Sequence, residues 1–417
     1  MRPGDRGARA VTAQTGNEPS LRAFWLLTAA ASVSELGTTL LQLAVPLIIL
    51  ASTGSSMLAA AALAAEYLPF VLSPAFGALI DGFDRRRVFA VAELVQGVLV
   101  ALIPLLLMAD LVVWVLLPVL LANCAAVVSN LTSSFSLVPT LVPEDQLTKA
   151  YSRYATATEL ARCAGPGVAG LVLATIGANW ALWIDAATFL LTVLVATMLP
   201  ARPLPPVERG FWRMQAEGFR SLKRLPGIPR LTAALSMHNL GAGAVPIAMV
   251  LLVRGVWGWS PVSTGVVVAI GAGCSALGAW LAGRLLSEAA LARRISVWFT
   301  ATVVSCALLL TPWHAVVVAG YCCLMVGEGG MNVTTNEFRF RAIPQKLSGR
   351  TNAVMRAFIL GAAALSALLL GWTVSLPHQV LRFGPALLAA VLGVALWIGL
   401  GRTTEGAAPQ VAVPTPK

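Results

Sequence analysis

Six acidic side chains stand inside or at the edge of long apolar runs. They are Glu35 in "SVSELGTTLLQLAVP", Glu66 before Pro69 and Pro74, Glu93 in "AVAELVQG", Glu159 in "ATELARCAGPGVAG", Asp185 in "WALWIDAATFLL" and Glu328 in "VGEGGMN". A carboxyl in apolar surroundings pays heavily for its charge, which favours proton uptake or the capture of a cation. Thr38 and Gln42 follow Glu35 by three and seven positions, so the three share one helix face. That face is the leading candidate for a proton- or substrate-binding surface. Glu66, Glu93, Asp185 and Glu328 are further candidates. Each has a structural alternative, a buried acid hydrogen-bonded to a neighbouring helix. Glu93, one turn before Gln96, has a second: pairing with the arginines of the loop before it. Glu159 and Arg162 are three apart and can pair on one face, a self-neutralised arrangement that serves packing as well as function. Gly165, Pro166, Gly167 and Gly170 follow, residues that permit close helix contact and bending. His238 reads as a local hydrogen-bonding group, and Arg356 falls early in an apolar run.

Other chemistries lack their residues. There is no GxxxxGK[ST] loop, no dinucleotide fingerprint opening a soluble βαβ unit and no HExxH. The sequence therefore carries no enzyme signature and no built-in nucleotide hydrolysis, and no cofactor is expected. The six cysteines show no CxxC spacing, so neither a disulfide framework nor a metal site is expected. "GAGCSALGAW" is rich in glycine but lies inside an apolar run, where it reads as a packing surface rather than a phosphate cradle.

What must position these groups follows from composition. Hydrophobic residues make up 58% of the chain and charged residues 11%, with a mean hydropathy of +0.80. A soluble domain carries about 25% charged residues. So few charges cannot cover a globular surface, whereas a helix of about 20 apolar residues spans a bilayer. The expected fold class is all-α, a polytopic membrane protein. Twelve spans are expected, at about 24–50, 55–79, 88–108, 112–138, 151–176 and 179–199, then 231–253, 261–286, 295–312, 314–338, 351–373 and 381–400. They form two sets of six, one within 21–199 and one within 231–401, joined by a connection at 200–230. Duplication of six spans is a known transporter design. Tails are expected at 1–20 and 402–417; the first is polar and basic, unlike a signal peptide.

The charge of +11 is spread as small basic groups between apolar runs, which argues against nucleic acid as a partner. With both termini cytoplasmic, the outer loops hold only Arg254 and Arg382, and the basic groups of the other connections and tails, Arg85–Arg87 and the central connection among them, lie inside. That is the positive-inside pattern, and it predicts a multi-pass protein of the cytoplasmic membrane. "GFWRMQAEGFRSLKRLPG" mixes aromatic and basic residues, and part of it is expected to lie as an amphipathic helix against the inner leaflet, the alternative being a solvated linker with aromatic anchors.

The stretch "GALIDGFDRRR" resembles the loop 2–3 signature of the major facilitator superfamily: Gly77, then Asp81 four positions later, then Arg85 and Arg86. Gly82 stands where an arginine is usual and Asp84 where a glycine is usual. The "FDRRR" version resembles bacterial exporters related to macrolide and siderophore efflux proteins. "GPGVAG" at Gly165–Gly170 resembles the antiporter motif of the fifth span, and "ELGTTLLQLAVP" the first-span exporter motif, with Leu43 in place of its first proline. The fourth span, "LLANCAAVVSN", lacks the arginine of many proton antiporters. The second-half copy of the loop signature keeps Gly278 and Arg284 but has Ala282 at the acid position. The resemblance implies the major facilitator fold, with twelve transmembrane helices in two six-helix bundles. It implies efflux of a small molecule by alternating access, driven by a proton gradient. Gly77, Asp81, Arg85 and Arg86 would then form a conformational latch that does not touch substrate. The Ala-, Leu- and Val-rich bundles suit a lipophilic or amphipathic substrate. Beyond substrate and membrane lipid no partner is implied: no ATPase subunit, and a monomer. A proton-coupled uptake carrier, and a non-transporting scaffold or receptor, are the alternatives.

Overall fold

The computed structural model describes residues 20–71, 84–132, 137–143, 146–199, 211–284 and 290–399. Among them the chain is helical and has no strand. In the first half the long helices are α1 (Leu21–Thr53), α2 (Ser56–Val71), α3 (Arg85–Met108), α4 (Leu116–Thr132), α5 (Leu147–Thr175) and α6 (Ala178–Met198). A connecting helix, Phe211–Arg224, leads to α7 (Ile228–Val256), α8 (Pro261–Arg284), α9 (Leu291–Leu309), α10 (His314–Ala342), α11 (Gln345–Thr373) and α12 (Gln379–Gly399). Ten of the twelve are long and apolar enough to cross a membrane. Of the other two, α2 is apolar and is described over 16 residues, and α5 is long but carries Lys149, Arg153, Glu159 and Arg162.

Local signals set the ends. Ser20 caps α1 by accepting from the Ala23 amide at 3.3 Å, and Gly54, at φ 67°, closes it with an N–H to the Leu50 carbonyl. Asp84, the departure from the usual glycine, is the N-cap of α3; its carboxylate accepts from the Arg86 and Arg87 amides at 2.9 and 3.4 Å. Several helices run past the limits set by hydropathy. The largest extension is α11, which begins at Gln345 rather than about 351. Backbone hydrogen bonding continues a helix beyond the apolar slab, so hydropathy marks the slab and not the helix. At 33 residues α1 is about 50 Å long, well beyond a hydrocarbon core of about 30 Å.

Helices α1–α6 pack as one group and α7–α12 as another, with α2 against α11 and α5 against α8 joining the two. Lipid is as apolar as leucine, so close backbone approach decides these seams. Gly170 of α5 faces Gly265 of α8, where an added Cβ would stand 3.3 Å from the Gly265 carbonyl oxygen. Ser56 of α2 donates to the Gly371 carbonyl of α11 at 2.9 Å. Within the second half, a Cβ on Gly278 would strike the Val326 carbonyl and one on Gly329 the Ser275 carbonyl, so α8 and α10 cross in backbone contact. The glycine-rich run of α8 is thus a packing surface, as expected. Leu94, Val98 and Leu105 of α3 and Leu190 and Leu194 of α6 point outward, as lipid-facing residues do.

The buried cores divide unevenly along the bundle axis. Both ends of the described chain, the start of α1 and the end of α12, lie at one end, called here the terminal end. At the far end a single apolar core takes in both halves, from Leu41 and Ile49 of α1 to Val245–Val253 of α7 and Leu370 of α11. At the terminal end the core splits. One cluster is built on Phe24, Phe89, Leu141 and Tyr154 of the first half, the other on Leu231, Phe299, Met355 and Trp397 of the second. The connecting helix belongs to the second cluster. Leu222 is buried in it, Ser221 hydrogen-bonds Thr351 of α11 at 2.7 Å, and Phe219 meets Phe358 edge-on. The described inner face of this helix is thus seated on α11.

Candidate functional site

The level at which the far-end core gives way to the two terminal-end clusters is where the polar groups collect. On α1, Ala31 belongs to a terminal-end cluster and Leu41 to the far-end core, with Glu35 between them. Glu35 Oε1 receives Arg162 Nη2 of α5 at 3.3 Å. The Glu35 side chain is 23% exposed and that of Arg162 is 56% exposed, so the pair borders open space. The arginine, placed three residues after Glu159 in sequence, thus bonds across helices to the leading candidate acid; the Glu159 side chain lies outside the described residues. Gln42 and Thr38 share the half-buried face of Glu35, as the spacing predicts. Thr38 Oγ1 donates back to the Ser34 carbonyl of its own helix at 3.0 Å.

The other first-half acids are buried. Glu93 accepts from Ser129 of α4 and, at 3.4 Å, from Ser34 of α1. Among the described residues its partners are hydroxyls of neighbouring helices, and Arg86 and Arg87 bond elsewhere. Asp185 of α6 is fully buried against Gly37 of α1, where a Cβ would collide with the Asp185 carboxylate and the Thr188 hydroxyl. Glu66 of α2 is 1% exposed. Among the described residues, both oxygens of Glu66 and of Asp185 lack a hydrogen-bond partner, the costliest arrangement for a charge in an apolar medium.

The second half contributes a pair. His238 of α7 and Glu328 of α10 meet at 2.6 Å, Nε2 to Oε1. The His238 side chain is 2% exposed and its ring stands edge-on to Phe299 of α9 at 5.8 Å. Its Nδ1 is buried and has no hydrogen-bond partner among the described residues. Glu328 is 25% exposed. Both residues lie between the cores: Leu235 and Met331 belong to the terminal-end cluster, Ala242 and Met325 to the far-end core. Tyr67 of α2, next to Glu66, is half-buried. Tyr67 and the role of His238 were missed in the sequence; the only local signals were an aromatic hydroxyl beside Glu66 and a histidine inside an apolar run. On the terminal side, Arg356 Nη1 of α11 donates to Asn130 Oδ1 of α4 at 3.1 Å and its guanidinium lies 6.0 Å from the Phe70 ring centroid.

Of the expected latch, Gly77 and Asp81 lie outside the described residues. Arg85 opens α3, with its side chain likewise outside them. Arg86 Nη1 donates to the Leu199 carbonyl at the end of α6, 2.7 Å away. The second-half counterpart is more complete than its sequence suggested. Arg294 of α9 bonds the Ala282 carbonyl at 3.1 Å and Glu337 of α10 at 2.8 Å, and Glu337 also pairs with Arg341 at 2.5 Å. The acid missing at Ala282 is supplied by another helix. Among the packing residues, Gly165 abuts Thr39 of α1 and Gly170 abuts Gly265, while a Cβ on Gly167 would meet nothing within 4 Å. The Pro166 ring is outside the described residues, and α5 runs through that position as one helix.

A cavity of about 680 Å³ lies elsewhere, at the far end beside α1, α3 and α6, lined by Ile48, Ser52, Met108, Asp110, Trp114 and Asn179. None of the pairs above lines it. Among the described residues, no group of three His, Cys, Asp or Glu side chains is placed to hold a metal ion.

Comparison with known proteins follows the same outline. The profile of the Major Facilitator Superfamily matches residues 27–367. The macrolide efflux protein A of Streptococcus pyogenes is 25% identical over 211 residues, which is 49% of this chain and 52% of that protein. The multidrug efflux pump Tap of Mycobacterium tuberculosis (strain ATCC 25618 / H37Rv) is 32% identical over 163 residues, 37% of this chain and 39% of that protein. The chain therefore aligns with about half, or less, of the length of these curated relatives. Among solved structures, a bacterial homologue of the iron transporter ferroportin in an inward-facing state superposes with a TM-score of 0.69 at 16% identity, covering 91% of this chain and 98% of that one. A POT family transporter in complex with 5-aminolevulinic acid superposes at 0.70 with 12% identity, covering 92% of this chain and 96% of that one. At such identities these likenesses establish the fold.

Proposed function

This chain belongs to the major facilitator superfamily, and on that footing we propose that it is a secondary transporter that expels a lipophilic or amphipathic small molecule in exchange for protons. The observation that carries the reading is the division of the core. In each half a polar pair lies at the level where one apolar core shared by both halves gives way to two separate clusters. On this reading the shared core is the closed side of a central site and the divided clusters its other side, one of the two states alternating access requires. In this reading the terminal end, where the basic residues concentrate, is cytoplasmic, as the positive-inside rule favours, and it is the side from which an exporter loads. The efflux relatives support the outward direction.

In this reading the α2–α11 and α5–α8 seams, close enough for backbone contact at Gly170 and Gly265, serve as rocking surfaces. The terminal-end clusters close on one another as the far-end core parts. Arg86 and Arg294 tie helix ends together within their own halves, so that each half moves as a unit. The proton gradient of a bacterial cytoplasmic membrane supplies the energy, and a monomer suffices.

Everted membrane vesicles test this with a panel of macrolides and lipophilic dyes. We expect accumulation inside vesicles with an acid lumen and its collapse on adding a protonophore. Accumulation indifferent to the proton gradient, or uptake only in right-side-out vesicles, overturns the proposal.

A further inference from the structure

The cavity at the far end is walled by the first half alone, from the end of α1, the turn after α3 and the start of α6. At about 680 Å³ it falls in the range of about 300–1,000 Å³ of small-molecule sites. Its lining is of two kinds. Ile48, Leu107 and Met108 are apolar, whereas Asp110 brings a carboxylate and Ser52, Trp114 and Asn179 bring N–H and O–H donors.

The apolar side continues toward lipid. Val91, Leu94, Val98, Leu102 and Leu105 are exposed and follow one another at three- and four-residue intervals, so they form one outward stripe along α3. Met108, 77% exposed, is the next step of that stripe and lines the cavity. Trp114 and Trp180, the neighbour of Asn179, are each 64% exposed. Indole rings favour the headgroup level of a bilayer, so the cavity opens at that level.

Charge narrows the occupant. The connections at the far end are 54–55, 109–115, 176–177, 257–260, 310–313 and 374–378, and the one Asp, Glu, Lys or Arg among them is Asp110. Among the described residues its carboxylate has no ion-pair partner. The arginines of that end are engaged elsewhere: Arg254 donates to the Trp259 carbonyl at 2.7 Å and Arg382 to the Leu376 carbonyl at 2.6 Å.

We propose that this cavity is a lipid site that holds an aminophospholipid, its primary ammonium against Asp110 and its chains along the outward stripe of α3. An ammonium brings a positive charge and N–H donors to the carboxylate, a charge-assisted contact. Ser52, Trp114 and Asn179 offer donors to the phosphate of the same headgroup. A choline headgroup has no N–H to give, and a glycerol headgroup sets its phosphate charge against Asp110 with no cation between. The transport reading enters only in placing the far end at the outer leaflet. Because one half walls the site, the lipid rides with that half and anchors it as the halves rock.

The test offers the delipidated full-length protein, in detergent, equal amounts of phosphatidylethanolamine, phosphatidylcholine and phosphatidylglycerol, and counts the retained lipid by native mass spectrometry. The wild type is expected to retain phosphatidylethanolamine about fivefold over phosphatidylglycerol, the upper worth of an exposed ion pair, with phosphatidylcholine between them. Asp110→Asn and Asp110→Gly should bring the preference to parity. Asp110 lies at φ 57°, a conformation that glycine and asparagine adopt readily. Both variants should therefore keep the wild-type Tm within a few degrees, which separates lost binding from lost fold. Trp313→Ala, at another exposed tryptophan of the far end but outside the cavity, should leave the preference unchanged. A photoreactive phosphatidylethanolamine should label 105–114 or 178–183. No preference in the wild type, an unchanged preference in Asp110→Asn, or labelling confined to other segments overturns the proposal. So does displacement of the lipid by an equal concentration of glycerophosphoethanolamine, which has the headgroup without the chains and would mark a site for a soluble amine. Retention needs no proton gradient, so this proposal and the transport reading fail separately.

Discussion

Arg356 of α11 donates to Asn130 of α4 across 3.1 Å, joining the two halves on the terminal side of the central site. Its guanidinium also lies over Phe70 of α2. The apolar clusters of the two halves are separate at that end, so a rocking motion must remake this contact. Arg356→Ala is expected to slow transport several-fold with little change in substrate affinity. Asn130→Ala should do the same, and the double variant should be no worse than the poorer single one, with a coupling of about 0.5–3 kcal/mol between two residues in contact. Additive losses in vesicle transport would show that the two act apart.

The Glu35–Arg162 pair is expected to matter for transport more than for stability. With Arg162 mostly exposed, the pair contributes at most about 1 kcal/mol to folding. Glu35→Gln and Arg162→Gln should each cut vesicle transport at least tenfold while shifting the detergent Tm by no more than a few degrees. The swapped pair Glu35→Arg with Arg162→Glu should recover part of the activity if the contact itself is what counts.

Helix crossing in the second half gives a stability prediction. Gly278→Val forces a side chain into the Val326 carbonyl, and Gly329→Val one into the Ser275 carbonyl. Overpacking of this kind costs about 1–3 kcal/mol, and here backbone rather than a flexible side chain must yield. Thermal unfolding in detergent should show a clearly lower Tm for both. Gly273→Ala, where a Cβ would meet nothing within 4 Å, should leave Tm unchanged.

Asp84 is expected to act through the backbone of α3. Removing the cap in Asp84→Ala should cost about 1 kcal/mol and speed amide exchange in the first turn, at Arg86 and Arg87. Asp84→Asn retains an acceptor oxygen and should exchange nearly as slowly as wild type.

Glu337 gathers two arginines, Arg294 and Arg341, and through Arg294 the Ala282 carbonyl at the end of α8. Glu337→Gln leaves Arg294, 6% exposed, as a buried cation without its acid. Losing one partner of a buried pair costs about 3–5 kcal/mol. A Tm fall larger than that of Glu35→Gln is expected; equal shifts would mean that Arg294 finds another anion.

The sequence alone determined the membrane class, the two sets of six helices, the basic end and the isolated acids. Each of these follows from how many apolar residues run together and where charge interrupts them, a property that adds up along the chain. It also showed that Glu35, Thr38 and Gln42 share a face and that the glycines of α8 pack, because helical periodicity is local. Tertiary structure decided the partners. It brought Arg162 to Glu35, gave Glu93 to Ser34 and Ser129, seated the connecting helix on α11, supplied Glu337 where Ala282 had no acid, and joined His238 to Glu328. Periodicity tells which way a side chain points but not which helix stands opposite. Within a bilayer that choice rests on close packing and hydrogen bonds between distant segments, to which neither hydropathy nor spacing has access.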